Sequence, residues 1–215
     1  MYKKLDLNTQ SAHGDVSQSE LLEVRHFATA NLPTKYGQFK IVAFKNNQDN
    51  KEHVAIVKGD VEGQEGVLCR IHSECLTGDV FGSLKCDCGP QLERALDELE
   101  QAGRGIILYM RQEGRGIGLA NKIAAYALQD GGMDTVEANK HLGFDDDMRR
   151  YDISSEMLKI LGPKSIVLMT NNPRKFEAMR KAGIPIDERL PIKITPNKFN
   201  VDYLNTKRDK SGHIL

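Results

Sequence analysis

The stretch IILYMRQEGRGIGLANKIAAYALQDGG, residues 106–132, decides the class of fold. Its first five residues, Ile106–Met110, are apolar and predict a short buried strand. The glycines within Gly114–Gly118 then predict a loop, and the apolar residues over Leu119–Leu128 keep the spacing of a helix that stops at Gly131-Gly132. A buried strand that leads through a short loop into a helix is the unit from which α/β layered domains are built.

The sequence on both sides extends this pattern. Before it, alternating apolar and polar residues predict strands over Gly37–Phe44, Val54–Val57 and Val67–Ile71, with a solvated turn at Asn46–Glu52. The other predicted elements are a helix from Pro90 to Gly103, a helix over Ile153–Leu161 capped by Gly162, a strand over Ser165–Thr170 and a helix from Pro173 to near Gly183.

These elements predict an α/β fold, with α+β as the alternative. We expect a single compact domain with a β-rich first third, followed by alternating strands and helices around a mixed sheet. Residues 1–21 are polar and predict a flexible N-terminal arm, which leaves residues 22–215 for the folded domain.

Composition and charge exclude several classes of protein. The 215 residues suffice for a buried core without disulfides. Lys plus Arg and Asp plus Glu both number 30, and this zero net charge disfavours a protein that coats nucleic acid. The N-terminus lacks the apolar stretch of about 7–15 residues that a secretory signal needs, and we find no membrane span. We therefore expect a cytoplasmic protein whose four cysteines are thiols or metal ligands.

Three of the four cysteines, Cys75, Cys86 and Cys88, are close in sequence. Thiolates at this spacing bind one soft cation, and zinc is the usual one inside cells. The spacing fits both a structural knuckle with four ligands and a catalytic site with three ligands and an open position. His72 and Cys69 are candidates for a fourth ligand, although the apolar run around Cys69 favours a buried inert thiol. The polar residues near the cluster favour the catalytic site.

Three loops carry residues suited to anions. Gln112–Gly118 and Thr170–Lys175 both lie between a strand and a helix, where backbone N–H groups and the helix dipole favour a phosphate. A plain tight turn also explains the glycines of the first loop. Gly143–Tyr151 combines three acids with two arginines, which a self-neutralising solvated turn would explain as well. Together with the cysteines, these loops suggest hydrolysis of a phosphorylated small molecule.

Five segments resemble the signature segments of GTP cyclohydrolase II, and they occur in the order of that family. They are Arg70–Asp79, Lys85–Gly89, Arg111–Gly118, Asp134–Asn139 and Thr170–Pro173. The resemblance runs from about Leu32 to Leu215. We expect the stand-alone form, without the dihydroxybutanone-phosphate synthase domain that many relatives carry.

The resemblance implies the first step of riboflavin biosynthesis. In that step GTP loses formate from its imidazole ring and also loses pyrophosphate, which gives 2,5-diamino-6-(5-phosphoribosylamino)pyrimidin-4-one. The resemblance further implies one Zn²⁺ ion per subunit held by Cys75, Cys86 and Cys88, Mg²⁺ bound with the triphosphate, and a homodimer. It implies no nucleic-acid or membrane partner.

The resemblance also implies roles for individual residues. Tyr126 would transfer a proton, although its helical spacing equally fits core packing. Asp147 would accept a proton, and the family mechanism often makes Arg149 the nucleophile that attacks the α-phosphorus. Because a guanidinium has no free lone pair, we expect Arg149 to stabilise the leaving pyrophosphate instead. The implied substrate-binding residues are Arg70, Ile71, His72, Ser73, Glu74, Gln91, Glu113, Gly114, Arg115, Thr135, Thr170 and Lys175.

Two other functions fit the same residues. One is a divergent relative that stops at the formylated intermediate or acts on another purine nucleotide. The other is a non-catalytic nucleotide sensor in which zinc staples the fold.

Overall fold

Seven strands form one mixed sheet in the computed structural model, which describes residues 21–145, 147–212 and 214. The strands are β1 (Val24–Thr34), β2 (Gly37–Asn46), β3 (His53–Lys58), β4 (Val67–Ser73), β5 (Gly105–Met110), β6 (Ile166–Met169) and β7 (Ile186–Leu190). Their order across the sheet is β1-β2-β3-β5-β4-β6-β7. The pairs from β1 to β5 are antiparallel, and the pairs from β5 to β7 are parallel.

Helices cover both faces of this sheet. They are α1 (Leu76–Asp79), α2 (Cys88–Ala102), α3 (Leu119–Asp130), α4 (Thr135–His141), α5 (Asp152–Leu161), α6 (Pro173–Lys181) and α7 (Val201–Ser211), with a 3-10 turn at Glu113–Gly116. None of the helices in the described part of the chain has both the length and the apolar character needed to cross a bilayer.

The central strand β5 joins the two halves of the core. Successive side chains of a strand point to opposite faces of the sheet. Ile106, Leu108 and Met110 accordingly pack on the face that α5 and α6 cover, and Ile107 packs with Leu99 of α2 on the other face. All five of these side chains are fully buried. An apolar run buried on both faces is what a central parallel strand requires.

The parallel strands place the functional segments. The carboxyl ends of parallel strands meet at one edge of a sheet, where open α/β folds bind their ligands. Ser73 ends β4, Met110 ends β5, and Met169 ends β6. The segments that follow these three strands are the ones that carry the cysteines, the glycine-rich loop and Thr170–Lys175.

The predicted α/β class is confirmed, with a mixed sheet in a single unit and a β-rich first third. The predicted strands and helices lie within the observed ones or differ from them by a few residues at their ends. Five elements were not predicted from the sequence: β1, α1, α4, β7 and α7. The predicted arm, residues 1–21, lies outside the described residues except for Leu21.

Candidate active site

The three clustered cysteines bring their sulfurs together at the carboxyl edge of the sheet. The Sγ atoms of Cys75, Cys86 and Cys88 lie within 4.8 Å of one another, and those of Cys75 and Cys86 are 3.6 Å apart. Cys75 follows β4, while Cys86 and Cys88 lie at the start of α2. Among the described residues, this is the group of His, Cys, Asp and Glu side chains whose ligand atoms converge in this way.

Two glycines allow this convergence. A Cβ atom on Gly78 of α1 would lie 2.9 Å from the sulfur of Cys86 and 3.2 Å from that of Cys75. A Cβ atom on Gly89 of α2 would collide with the carbonyl oxygen of Gly78. The backbones of α1 and α2 therefore touch directly, and this contact sets the separation of the sulfurs.

Neither candidate for a fourth ligand joins the cluster. Nε2 of His72 lies 3.1 Å from both carboxylate oxygens of Asp79, and the His72 ring stacks on Tyr109. Asp79 also accepts a hydrogen bond from the backbone N–H of Cys75, at 3.0 Å. His72 therefore stabilises the cysteine loop through Asp79. Cys69 packs in the core, where burial raises the pKa of its thiol to about 12.

The thiols of the cluster differ in acidity. Hydrogen bonds from the two neighbouring thiols and the charge of Lys122 lower the pKa of Cys75. The contact with Cys75 raises the pKa of Cys86 to about 11 and also raises that of Cys88. Cys75 is therefore the thiol of the cluster that most readily carries a negative charge.

Helix α3 presents two polar side chains to the cluster. Lys122 and Tyr126 are four residues apart and so lie on one face of the helix. Nζ of Lys122 lies 3.1 Å from the sulfur of Cys75 and 2.7 Å from the carboxylate of Glu113. Burial lowers the pKa of Lys122, but Glu113 and Cys75 outweigh it and raise the pKa, so the ammonium keeps its charge. Burial raises the pKa of Tyr126, which keeps its hydroxyl protonated at neutral pH.

The glycine-rich loop packs against the loop that carries Asp147 and Arg149. Arg115 has a φ of 60°, in the left-handed region that non-glycine residues rarely adopt. Its carbonyl accepts a hydrogen bond from Met148 N at 3.0 Å, and a Cβ atom on Gly116 would lie 3.0 Å from the Met148 backbone. Since such backbone strain is concentrated at functional sites, the contact points to a role in placing Arg149.

Asp147 and Arg149 form a bidentate ion pair. Nε and Nη2 of Arg149 donate to the two carboxylate oxygens of Asp147 at 2.8 and 2.7 Å. Burial would raise the pKa of Asp147, but the hydrogen bonds and charge of Arg149 lower it to about 2. Burial likewise lowers the pKa of Arg149, and Asp147 outweighs burial and raises it. Both groups are therefore charged at neutral pH.

A cleft beside the cysteines has two parts, which we call the sulfur pocket and the cation pocket. The three clustered cysteines line the sulfur pocket together with Glu74, Tyr126 and Lys122. The cation pocket is lined by Arg70, Lys175, Lys207 and Thr170. The two pockets share Ser73, Cys88, Arg115, Arg149 and Tyr203 as lining residues, so they lie side by side.

Positive charge dominates the cation pocket. Four of its five Lys and Arg side chains are largely buried: Arg70, Arg149, Lys175 and Lys207. The carboxylate among its lining residues, Asp87, is already paired with Lys207 at 2.8 Å. Burial lowers the pKa of Lys175, and the charges of Arg149 and Arg70 lower it further. An anionic ligand would relieve this repulsion.

Most of the predicted substrate-binding residues line one of the two pockets. Ser73, Glu74, Glu113, Gly114 and Arg115 line the sulfur pocket, and Arg70, His72, Gln91, Thr170 and Lys175 line the cation pocket. The side chain of Ile71 lies in the core, and its carbonyl accepts a hydrogen bond from Lys175 at 2.7 Å. Thr135 is the first residue of α4.

Several lining residues were not predicted. Lys122, Asn139, Tyr203 and Lys207 received no role from the sequence. Lys122 carries a readable signal, because it is a lysine four residues before the predicted tyrosine on the same helix face. Tyr203 and Lys207 lie on α7, a helix that was not predicted from the sequence.

Comparison with known proteins places the chain in a family. The model of the family "GTP cyclohydrolase II" matches residues 25–191. The GTP cyclohydrolase-2 of Haemophilus influenzae (strain PittGG) is 54% identical over 196 residues, which are 91% of this chain and 91% of that one. The chain belongs to the GTP cyclohydrolase II family. This confirms the resemblance of the five segments and identifies the protein as an enzyme of that family.

Two further relatives differ in the share of their own length that the match covers. The GTP cyclohydrolase-2 of Actinobacillus succinogenes is 53% identical over 195 residues, 91% of this chain and 90% of that one. The riboflavin biosynthesis protein RibBA of Endomicrobium trichonymphae is 53% identical over 192 residues, 89% of this chain and 48% of that one. Among solved structures, a two-domain 3,4-dihydroxy-2-butanone 4-phosphate synthase from A. baumannii aligns with a TM-score of 0.42 and 19% identity, over 80% of this chain and 40% of that one.

We predict that Gly89→Ala separates the sulfurs. The added methyl group has to displace the Gly78 carbonyl, and overpacking of this kind costs about 1–3 kcal/mol of stability. We expect fewer zinc ions bound per chain after saturation, measured by atomic emission, and a lower midpoint of urea unfolding. The control is Gly131→Ala after α3, where a φ of −85° suits alanine. Full zinc binding and unchanged stability in Gly89→Ala would show that the glycine contact does not assemble the cluster.

Proposed function

We propose that the protein hydrolyses GTP, with release of formate and pyrophosphate, to 2,5-diamino-6-(5-phosphoribosylamino)pyrimidin-4-one. This reaction is the first step of riboflavin biosynthesis. Membership of the GTP cyclohydrolase II family and the names of the relatives support GTP as the substrate and riboflavin biosynthesis as the pathway.

One observation carries the proposal: a cluster of three thiols and a pocket of buried cations share one cleft. A nucleoside triphosphate has two parts that match these pockets: a base whose ring is opened, and an anionic triphosphate. We propose that the guanine ring enters the sulfur pocket and the triphosphate enters the cation pocket. Arg115 and Arg149, which line both, would then lie beside the phosphate nearest the ribose.

The sulfurs fit a zinc ion. Two sulfurs that each lie about 2.3 Å from one zinc ion are at most about 4.6 Å apart, and the 3.6 Å between Cys75 and Cys86 meets that limit. Thiolates are also ligands that zinc prefers. We propose that Cys75, Cys86 and Cys88 hold Zn²⁺. When bound, the ion would supply a Lewis acid that lowers the pKa of water to about 7, which favours addition of water to the ring at neutral pH.

Tyr126 is the proposed proton-transfer residue. Its ring lines the sulfur pocket, and its hydroxyl keeps its proton because burial raises its pKa. A protonated Oη is able to donate to the imidazole nitrogen from which the ring opens. A positioned acid of this kind contributes a factor of about 10²–10⁴ to the rate.

Arg149 is the proposed stabiliser of the leaving pyrophosphate. Its ion pair with Asp147 raises its pKa, so the guanidinium stays protonated and offers no lone pair for attack on phosphorus. Asp147, charged at neutral pH, holds Arg149 by two hydrogen bonds. Preorganised donors of this kind stabilise charge that develops in the transition state. This favours electrostatic stabilisation by Arg149 over a covalent role.

Arg70 and Lys175 are proposed to bind the rest of the triphosphate, with Thr170 as a neutral contact. Ser73 Oγ and Asn172 Nδ2 are buried atoms of the pocket walls that have no hydrogen-bond partner within the described part of the chain, which suits them to a polar ligand. Mg²⁺ would enter with the triphosphate, because the carboxylate that lines the cation pocket, Asp87, is committed to Lys207. We assign the other substrate-binding residues named from the sequence to the same nucleotide.

The homodimer remains a prediction from the resemblance, and the cytoplasmic location remains a prediction from the sequence. We propose both, with free GTP and no nucleic acid or membrane as partner. Mass spectrometry of the product separates the other functions: retained formyl adds the mass of carbon monoxide, and a nucleotide sensor would return GTP intact.

We predict that Cys86→Ser abolishes zinc binding and formate release, because a neutral hydroxyl replaces one of three thiolates. Zinc per chain and formate per GTP are the measurements, with GTP and Mg²⁺ present. The matched control is Cys69→Ala, which removes a buried thiol outside the cluster and should keep both zinc and formate at the cost of some stability. Full formate production by Cys86→Ser without bound metal would contradict the assignment.

We predict that Arg149→Ala lowers kcat for pyrophosphate release by about 10²–10³-fold, the usual loss for one preorganised donor. KM for GTP should change less, because Arg70 and Lys175 remain. The matched control is the neighbouring Arg150→Ala, whose guanidinium pairs with the half-exposed Asp152 and should leave kcat unchanged. Unchanged kcat at saturating GTP with only a raised KM would make Arg149 a simple phosphate clamp.

A further inference from the structure

Lys122 is a buried charged residue that received no role from the sequence and has none in the proposed reaction. Its side chain is about one-tenth exposed, and Nζ contacts both the sulfur of Cys75 and the carboxylate of Glu113. Burying an ammonium is unfavourable unless it is paired and hydrogen-bonded. These two contacts provide that compensation, and one of them goes to a proposed metal ligand.

Glu113 holds the ammonium from the other side. Its Oε1 accepts from Lys122 Nζ at 2.7 Å and from Gly114 N at 2.8 Å, and its Oε2 accepts from Leu76 N at 2.7 Å. The carboxylate thus joins the glycine-rich loop, α3 and the residue that follows Cys75. These contacts place Glu113 between Lys122 and the cysteine loop, and the residue also lines the sulfur pocket.

We propose that Lys122 is the positioning residue of the cysteine cluster: its ammonium donates a hydrogen bond to Cys75 and fixes the orientation and charge of that sulfur. The proposal rests on the metal site of the proposed function. Glu113 acts through Lys122 and keeps the ammonium directed at the sulfur.

The charge balance of the cluster explains why such a residue is needed. Three thiolates around one divalent ion leave a net charge of −1 in a buried site, and uncompensated buried charge is costly. A hydrogen bond from an ammonium offsets this charge and withdraws electron density from the sulfur. The metal then keeps more of its Lewis acidity, although three thiolates surround it. Outer contacts of this kind commonly change metal affinity by about 10–100-fold.

Lys85 provides a matched control. The two lysines lie at similar distances from the Tyr126 ring, 5.7 Å for Lys122 and 5.2 Å for Lys85. Lys85, however, pairs with the exposed Asp130 and makes no contact with a sulfur among the described residues. A loss that occurs in Lys122→Met but not in Lys85→Met therefore reports the contact with Cys75.

The test measures metal binding in the full chain without turnover. The zinc dissociation constant is determined by competition with a chromophoric chelator, and the cobalt-substituted protein gives the thiolate-to-cobalt charge-transfer band. We expect Lys122→Met to bind zinc about 10–100-fold more weakly and to shift the band to lower energy, since the sulfur regains electron density. Lys85→Met should match the wild type in both.

A double variant separates this role from simple neutralisation of Glu113. Lys122→Met alone leaves the Glu113 carboxylate buried without its cation, which can disturb folding. Glu113→Gln with Lys122→Met removes both charges and keeps an acceptor for Leu76 N. We expect the double variant to keep the weakened zinc binding and the shifted charge-transfer band of Lys122→Met.

Two results would overturn the inference. In one, Lys122→Met has the affinity and band of the wild type; in the other, the double variant regains them. Failure of the proposed function has a different signature: the wild-type chain itself would bind neither zinc nor cobalt through its thiols.

Discussion

The direct contact between the backbones of α1 and α2 is the constraint on which the site depends. Gly78 and Gly89 have no side chains, so Cys75 at the end of β4 can approach the two cysteines that begin α2. The sheet brings the other parts to the same place, because parallel strands end along one edge. The three clustered cysteines, the glycine-rich loop and the basic residues of the cation pocket thus reach one cleft from separate parts of the sequence.

Charge explains why the cleft is suited to a nucleotide. The sulfurs carry negative charge, which the ammonium of Lys122 partly compensates. The cation pocket carries positive charge, and Asp87 compensates only one of its basic side chains, Lys207. Holding Lys175 near two arginines destabilises its charged form, as its lowered pKa shows. A polyanion bound there would offset that repulsion, so the same arrangement of charges favours the binding of a polyanion.

Much of this arrangement was readable in the sequence, and the omissions have physical causes. The strand at Ile106–Met110 was predictable because both its faces are buried. β1 was missed because it is a largely exposed edge strand without a clear alternation, and its stability comes from pairing with β2. α7 lacks a marked apolar face, so Tyr203 and Lys207 were missed with it. The capping box of Asp134 and Glu137 was readable and overlooked. No spacing rule could have placed Lys122 on Cys75, since that contact depends on the approach of α3.

The most direct test of the central claim is anomalous diffraction at the zinc absorption edge, from crystals of the full chain grown with zinc. The account predicts one zinc site per chain, bonded to the sulfurs of Cys75, Cys86 and Cys88, with no protein side chain as a fourth ligand. A zinc ion that binds elsewhere, or one whose fourth position is filled by a side chain such as His72, would contradict it.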